Sequence, residues 1–319
     1  MSVIKQCVLA LNTSQLHNKS NEKVPIVMSQ FDTDQLFQIA EKLSQDFSLF
    51  PNTKGDHAAA VVKGLLNQEQ VSAKSEELKQ LDIDSYIKEV VSPSESSQRL
   101  NAKQLVHKLT SRFITEQEFG PLYVAEVELA FDNQFRRIGF ICQNRAERNG
   151  AWLPEHHRQA VKSLRQFAKH IIPVVTLIDT PGADASEQAN LDNQAHSISR
   201  LITEMSNIDI PTVGIILGAG YSGGAIPLAS TNILLSVRDG IFNTIQPQGL
   251  ASIARKYNLS WQECAKYVGV SAYELQLKNV IDGIIDYAPG DRIDQLQNLA
   301  AAITSSIEEI GRASCRERV

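Results

Sequence analysis

The sequence has few cysteines, and no two of them are close together. Its 319 residues include only Cys7, Cys142, Cys264 and Cys315, so no C-x-x-C pair exists. Zinc ribbons and dithiol redox centres need such pairs and are therefore excluded, and scattered single cysteines are typical of a reducing compartment. We expect a cytoplasmic protein without a metal site.

Long apolar runs and an excess of positive charge are also missing. The longest apolar runs hold about eight residues, whereas a membrane-spanning helix needs about 20. The first eleven residues contain one lysine and a very short apolar patch, unlike a signal peptide. Lys and Arg total 31 against 36 Asp and Glu, a net charge of −5. We therefore expect neither a membrane nor a nucleic acid as partner.

The chain is expected to divide into a helical extension and a larger domain. Residues 1–95 are polar, and apolar residues spaced by three and four after Thr33 predict a helix there. We place the larger domain at 96–290 and a C-terminal helix at 291–310. Arginines then interrupt the amphipathic pattern, which predicts an irregular tail, unrelated to the fold, at 311–319.

Strand-like and helical segments alternate over the larger domain. Strands are predicted at 123–129, 137–142, 173–178, 212–217 and 233–237. The first two are joined by a turn through Asp132 and Asn133, and helices separate the others. This alternation is typical of βαβ units with a parallel sheet covered by helices. Ligands of such sheets bind where strands end, which is where the loops 179–183 and 218–224 are expected.

Both loops match motifs of nucleotide-binding proteins. The first, D-T-P-G-A, shares D-T-P-G with GTPases, but no G-x-x-x-x-G-K-[ST] segment accompanies it, which excludes nucleotide hydrolysis. The second, G-A-G-Y-S-G-G, fits the dinucleotide pattern G-x-G-x-x-G. Asp239 lies near the position expected for a ribose-binding acid. An NAD-binding oxidoreductase therefore remains an alternative.

The second loop also fits the nucleophile pattern G-x-S-x-G around Ser222. α/β-Hydrolases order their catalytic residues serine, acid, histidine, whereas all seven histidines here precede Ser222. Glycines at strand ends can also serve only to permit tight turns. Two such loops, each opening a helix, favour anion binding, because N–H groups at a helix N-terminus carry partial positive charge. The predicted chemistry is stabilisation of an oxyanion, worth roughly 3–4 kcal/mol per donor.

Five motifs occur in order along the larger domain. They are G-A-W-L-P-E-H-H-R-Q-A at 150–160, I-D-T-P-G-A at 178–183, G-A-G-Y-S-G-G-A at 218–225, I-Q-P-Q-G-L-A at 245–251 and N-V-I-D-G-I-I at 279–285. Together they resemble the carboxyltransferase component of acetyl-CoA carboxylase, most closely its bacterial alpha subunit. The resemblance implies an α/β, crotonase-like spiral of ββα units with a mostly parallel sheet, preceded here by the helical extension.

The resemblance also implies which residues form the site. In that family, backbone amides form oxyanion holes, and no metal or side-chain nucleophile is required of this subunit. Carried over by motif, the amides facing biotin belong to Gly223, Gly224 and Ala225, the opposing wall to Gly182 and Ala183, and the remaining biotin-side positions to Gly220, Tyr221 and Ser222.

The implied reaction moves a carboxyl group from carboxybiotin, a co-substrate on the biotin carboxyl carrier protein, to an acyl-CoA. The implied type is acetyl-CoA to malonyl-CoA, as in fatty acid biosynthesis, within an oligomer. A separate chain would supply the beta-type subunit, since this chain has no zinc-ribbon cysteines. A biotin-independent malonyl-thioester decarboxylase subunit and a catalytically silent, carboxylase-associated paralogue remain alternatives.

The sequence departs from the family pattern at two places in the site. Tyr221 stands where the bacterial alpha subunit usually has glycine. Residues 184–188 read D-A-S-E-Q, where the family loop is rich in glycine and proline. A carboxylate at Asp184 or Glu187 is unfavourable beside a bound anion, unless it faces solvent or an arginine.

Overall fold

The computed structural model describes residues 62–131, 134–288 and 295–316. The helix predicted after Thr33 and the turn predicted at Asp132 and Asn133 lie outside these residues. The strands of the described residues are β1 (Thr110–Phe119), β2 (Leu122–Phe131), β3 (Gln134–Gln143), β4 (Val174–Thr180), β5 (Thr212–Tyr221), β6 (Ile233–Val237), β7 (Ile241–Asn243) and β8 (Gly283–Ile285).

Helices connect and cover these strands. The described α-helices are α1 (Gln68–Gln80), α2 (Ile83–Tyr86), α3 (Ser92–Glu95), α4 (Ala102–Leu109), α5 (Pro154–Lys169), α6 (Glu187–Leu191), α7 (Gln194–Asn207), α8 (Ser222–Ala229), α9 (Pro247–Ile253), α10 (Trp261–Val268), α11 (Ala272–Leu277) and α12 (Leu296–Arg316). A π-helical turn spans Ile87–Val91, and 3₁₀ turns span Arg148–Gly150 and Arg255–Tyr257. Within the described residues, none of the helices combines the length and apolar character needed to cross a bilayer.

The strands form one sheet in the order β1-β2-β3-β4-β5-β6-β8, with β7 beside the far end of β5. The pairs β1–β2 and β2–β3 are antiparallel, and the pairings from β3 onward are parallel. The predicted α/β fold with a mostly parallel sheet is therefore confirmed. Strand β1 was not predicted, because its side chains are mostly exposed and lack apolar alternation.

The centre of the sheet is buried on both faces. Successive residues of a strand point to opposite faces, so Val174 and Ile178 of β4 pack with helices α5 and α7. Val175 and Leu177 pack on the other side with α4 and α12. Every residue of β4 and β5 is buried. The segments that follow these two strands therefore start from a buried core.

Two predicted boundaries differ from the structure. The described part of the predicted extension shares the core of the domain, since Val71 of α1 and Tyr86 of α2 are buried in its apolar clusters. Helix α12 continues to Arg316, where an irregular tail was predicted from residue 311. Alanine and arginine are good helix formers, and lengthening an existing helix fixes few additional dihedrals for each hydrogen bond.

Helix α5 ends in a strained turn that allows a stability test. Ile171 N–H donates to Ala168 O and Ile172 N–H to Phe167 O, each at 3.0 Å, which is the Schellman pattern. Ile171 occupies the left-handed position of this pattern, with φ 54°, and is 80% exposed. A β-branched residue is strained there, and glycine is not.

We expect Ile171→Gly to raise the free energy of unfolding by about 1 kcal/mol, because relief of strain outweighs the greater freedom of glycine in the unfolded chain. Urea denaturation measures the change. Ile171→Val keeps the branched side chain and should show no gain. Equal stability of the two variants would contradict the assignment of strain.

Candidate active site at the ends of β4 and β5

The segments that follow β4 and β5 touch each other. A Cβ atom added to Gly224 would lie 2.5 Å from the carbonyl carbon of Gly182 and still closer to the nitrogen of Ala183. From the other side, a Cβ on Gly182 would lie 3.7 Å from Cβ of Ser222. Only glycine at position 224 allows this approach, so the two predicted groups of site residues do converge.

The glycine-rich segment is part strand and part helix rather than a loop. Strand β7 pairs with Ala219, Gly220 and Tyr221, and Thr180 of β4 also pairs with Gly220. These pairings extend β5 four residues past its predicted end at residue 217. The dinucleotide pattern requires its glycines in the turn between strand and helix. Because Gly218 and Gly220 lie inside a strand, the structure argues against the NAD-binding alternative.

Helix α8 begins directly at the strand end. Ser222 makes the turn with φ 59°, in the left-handed region, and no side chain caps the helix N-terminus. The first N–H groups of a helix have no intrahelical acceptor and carry partial positive charge. Ser222 and Gly223 are half-buried, whereas Gly224 and Ala225 are buried. The accessible part of this N-terminus is therefore Ser222 and Gly223.

The opposing wall offers one free amide. The Gly182 N–H donates to Thr180 Oγ1 at 3.1 Å, and that hydroxyl donates to Gly182 O at 2.8 Å. Gly182 is thus a wall residue whose donor is already used. The Ala183 N–H donates to no acceptor among the described residues, and Ala183 is half-buried. Of Gly182 and Ala183, only Ala183 therefore has an N–H group available to a ligand.

The predicted biotin-side positions separate into buried and accessible ones. The Tyr221 side chain is 2% exposed and packs with Tyr86, Val90 and Val91, and burial raises its pKa. Gly220 is buried inside β5, where a Cβ would lie 2.9 Å from the Phe242 ring. Neither Gly220 nor the Tyr221 side chain therefore reaches the accessible surface of the site.

The loop at 184–188, which departs from the family pattern, carries two carboxylates, one paired with an arginine and one exposed to solvent. Asp184 Oδ2 accepts from Arg148 Nη2 at 2.7 Å, and Oδ1 accepts from Ser186 N at 2.9 Å. The hydrogen bonds from Ser186 and the ion pair with Arg148 lower the pKa of Asp184. Glu187 is exposed to solvent. Both carboxylates thus meet the condition under which they are compatible with a nearby anion.

Asp179 of the D-T-P-G motif belongs to a buried ion pair. Its Oδ1 accepts from Arg99 Nη2 at 2.6 Å and from Arg145 Nη1 at 3.4 Å. Arg99 Nε also donates to Ser94 O at 2.8 Å. Burial raises the pKa of Asp179, and the two guanidinium groups oppose that rise. A Cβ on Gly218 would lie 2.5 Å from Arg99 Cζ, so that glycine makes room for the pair.

Sequence reasoning missed the residues behind the site, namely Arg99, Arg145 and Gln143. Gln143 ends β3, and its buried amide contacts both Asp179 and Gly224. Asp179 lies 80 residues from Arg99, and the two partners of Gln143 lie 36 and 81 residues away, so local spacing contains no signal for these contacts. Within the described ranges, no group of three or more His, Cys, Asp or Glu side chains is arranged to hold a metal ion.

Comparisons with known proteins identify the family that this chain resembles in sequence. Residues 137–318 match the family model described as acetyl co-enzyme A carboxylase carboxyltransferase-like. The chain is 34% identical over 184 residues to the acetyl-coenzyme A carboxylase carboxyl transferase subunit alpha of Pelagibacter ubique, covering 56% of this chain and 50% of that protein. It is 29% identical over 227 residues to the subunit of the same name from Clostridium perfringens, covering 66% and 83%.

A solved structure supports the fold. The transcarboxylase 12S structure with hydrolysed methylmalonyl-coenzyme A bound aligns with a TM-score of 0.56 at 14% identity, covering 70% of this chain and 43% of that chain. At this identity the likeness concerns the fold alone, which is crotonase-like, as predicted. The chain spans about half the length of several curated relatives that it matches.

The buried ion pair predicts a large effect of losing Arg99. We expect Arg99→Met to lower the free energy of unfolding by about 3–5 kcal/mol at neutral pH, because Asp179 would be left buried and charged without its closest partner. Without Arg99, the pKa of Asp179 in the folded state rises further above its unfolded value. Protonation of Asp179 then favours the folded state of the variant. The difference in free energy of unfolding between wild type and variant should therefore shrink as the pH falls. Urea denaturation at several pH values measures both effects.

A matched control is available on the surface. Arg165 pairs with Glu204 and its side chain is 54% exposed, so Arg165→Met should cost only about 0–1 kcal/mol. Similar losses in Arg99→Met and Arg165→Met would contradict a dominant role of the buried pair.

Adjacent glycines provide a second matched pair. We expect Gly224→Ala to destabilise the fold by about 1–3 kcal/mol, because the added methyl meets backbone atoms of Gly182 and Ala183. At Gly223 the nearest atom to an added Cβ is the flexible Ile198 Cδ1 at 3.4 Å, so Gly223→Ala should be nearly neutral. Thermal melting of both variants tests this, and equal melting temperatures would contradict the close approach at Gly224.

Proposed function

The chain belongs to the acetyl-coenzyme A carboxylase carboxyltransferase-like family, and we propose that it supplies the backbone-amide half of a carboxyltransferase site. The proposed reaction moves a carboxyl group from biotin to an acyl-CoA, of the acetyl-CoA to malonyl-CoA type. The observation that carries this proposal is the contact between the wall at Gly182–Ala183 and the uncapped start of α8. Two sources of N–H donors meet there beside an accessible surface.

The donor set fits a bound oxyanion. The free Ala183 N–H and the first-turn amides of α8, including that of Gly223, provide partial positive charge from two sides. Gly224 and Ala225 are buried, and we assign them to holding the helix start against the wall. Gly182 and Thr180 fix the wall through their mutual hydrogen bonds.

Carboxybiotin, carried on a biotin carboxyl carrier protein, would supply the transferred carboxyl group when bound. The residues of this chain would then hold negative charge on the oxygen facing Ala183 and Gly223, and would exclude water through the buried strand ends beneath. Carbon–carbon bond formation also requires removal of a proton from the acyl thioester. Because this site presents amide donors rather than a proton acceptor, we assign the acyl-CoA and the base to a beta-type subunit.

The electrostatics of the loop at 184–188 favour an active subunit over a catalytically silent paralogue. A free carboxylate beside the amides would repel the developing anion. Here Arg148 and Ser186 satisfy both oxygens of Asp184. The loop therefore keeps its carboxylate in a neutralised pair, which is compatible with catalysis.

Reverse transfer tests the function directly. We expect the full chain, mixed with a beta-type carboxyltransferase subunit, malonyl-CoA and biocytin, to form acetyl-CoA only when both partner and biocytin are present. Chromatographic measurement of acetyl-CoA gives the rate. Release of carbon dioxide without biocytin would favour the decarboxylase alternative instead. Absent turnover together with measurable subunit binding would favour the silent paralogue.

The two glycine variants refine that assay. Gly224→Ala should reduce kcat by about 10²–10³-fold, the range seen when an oxyanion donor is lost, because the wall and helix start are forced apart. Gly223→Ala keeps its N–H and should retain most of the rate. Loss of activity in both, or in neither, would contradict the proposed use of these amides.

A further inference from the structure

Gln143 uses both ends of its side-chain amide on the two halves of the site. It is the last residue of β3, and its side chain is completely buried. Its Nε2 donates to Gly224 O at 2.7 Å, and its Oε1 accepts from Asp179 N at 3.1 Å. The two partners fix the orientation of the amide, because one is a carbonyl and the other an N–H.

Both partners are backbone groups of the segments that form the site. Asp179 lies three residues before Gly182, and Gly224 lies in the first turn of α8. A polar side chain buried without hydrogen bonds costs free energy, and one that makes all of them specifies a geometry. The amide therefore links the end of β4 to the start of α8.

We propose that Gln143 is a positioning residue that sets the separation between the wall and the helix start. This inference rests on the proposed function, since it concerns the same amides. Gln143 itself does not touch the accessible surface and is not assigned a chemical step. An acceptor at one end and a donor at the other are both required, and glutamate meets that requirement only when it is protonated.

The substitution Gln143→Glu turns this requirement into a pH-dependent readout. Above the pKa of the new carboxyl group, the oxygen that replaces Nε2 is an acceptor facing the acceptor Gly224 O, so the link to α8 is lost, whereas the other oxygen still accepts from Asp179 N. Burial raises a carboxyl pKa from its ordinary value near 4.3. We expect kcat of Gln143→Glu to be at least about 10-fold below wild type at pH 8, with KM little changed. The ratio of variant to wild-type kcat should rise at least about 10-fold between pH 8 and pH 6 as the carboxyl group is protonated.

Other charged groups around this position are common to both proteins. Asp179, with Arg99 and Arg145 against it, is the ionisable cluster next to Gln143. Dividing the variant rate by the wild-type rate at each pH removes the part of their titration that the substitution leaves unchanged. Gln143→Met has a similar shape without polar atoms, and its kcat should be reduced about equally at every pH. A flat ratio for Gln143→Glu, or unchanged kcat in Gln143→Met, would overturn the proposal.

Hydrogen–deuterium exchange tests the same link without any turnover. In Gln143→Met, we expect exchange at least about 10-fold faster in peptides covering 177–184 and 219–228, and unchanged exchange in β2. In Gln143→Glu, this acceleration should be present at pH 8 and smaller at pH 6, after correction for intrinsic exchange rates. Unchanged exchange in both variants would overturn the positioning role. Inactive wild-type protein would instead count against the proposed function alone, so the two failures are distinguishable.

Discussion

The contact between Gly224 and the backbone of Gly182 and Ala183 is the constraint on which the site depends. Backbone atoms can approach this closely only where no Cβ intervenes. The same device recurs around the end of β4. Gly150, at φ 78°, faces the Asp179 carbonyl oxygen, and Gly218 faces the Arg99 guanidinium. Three glycines thus let a helix start, a turn and a charged side chain pack around one strand end.

This close packing explains why a buried ion pair is found beside the site. Taking Arg99 and Asp179 out of water is costly, and such pairs contribute little net stability compared with apolar residues of similar volume. Breaking the pair is expensive, however, because it leaves one charge buried. Arg99 also donates to Ser94 O, so the pair ties the chain after α3 to the end of β4. We interpret the pair as specifying where the β4 end lies, more than as strengthening the fold.

The sequence predicts the parts of the fold whose causes are local. Runs of β-branched residues in β4, β5 and β6 predict buried strands, and the two strand-end motifs predict a site between them. Strand β1 was not predicted because its own sequence has no strand pattern; it is stabilised by pairing with β2. The true end of β5 was missed because β7, about 20 residues later, pairs with it. Gln143 was missed because its partners are 36 and 81 residues away.

In a site built from backbone amides, the substitutions expected to change activity are not those of the side chains at its surface. In the proposed site the donors are backbone N–H groups rather than the side chains of Ala183 and Ser222, so we expect the chemistry to depend little on the identity of those side chains. The amides keep their directions only if the atoms behind them do not move, and those atoms belong to buried residues. Geometry errors of about 1 Å can cost about 10²-fold in rate. On the proposed function, we therefore expect the determinants of activity behind the site, at positions such as Gln143, Arg99 and Gly224.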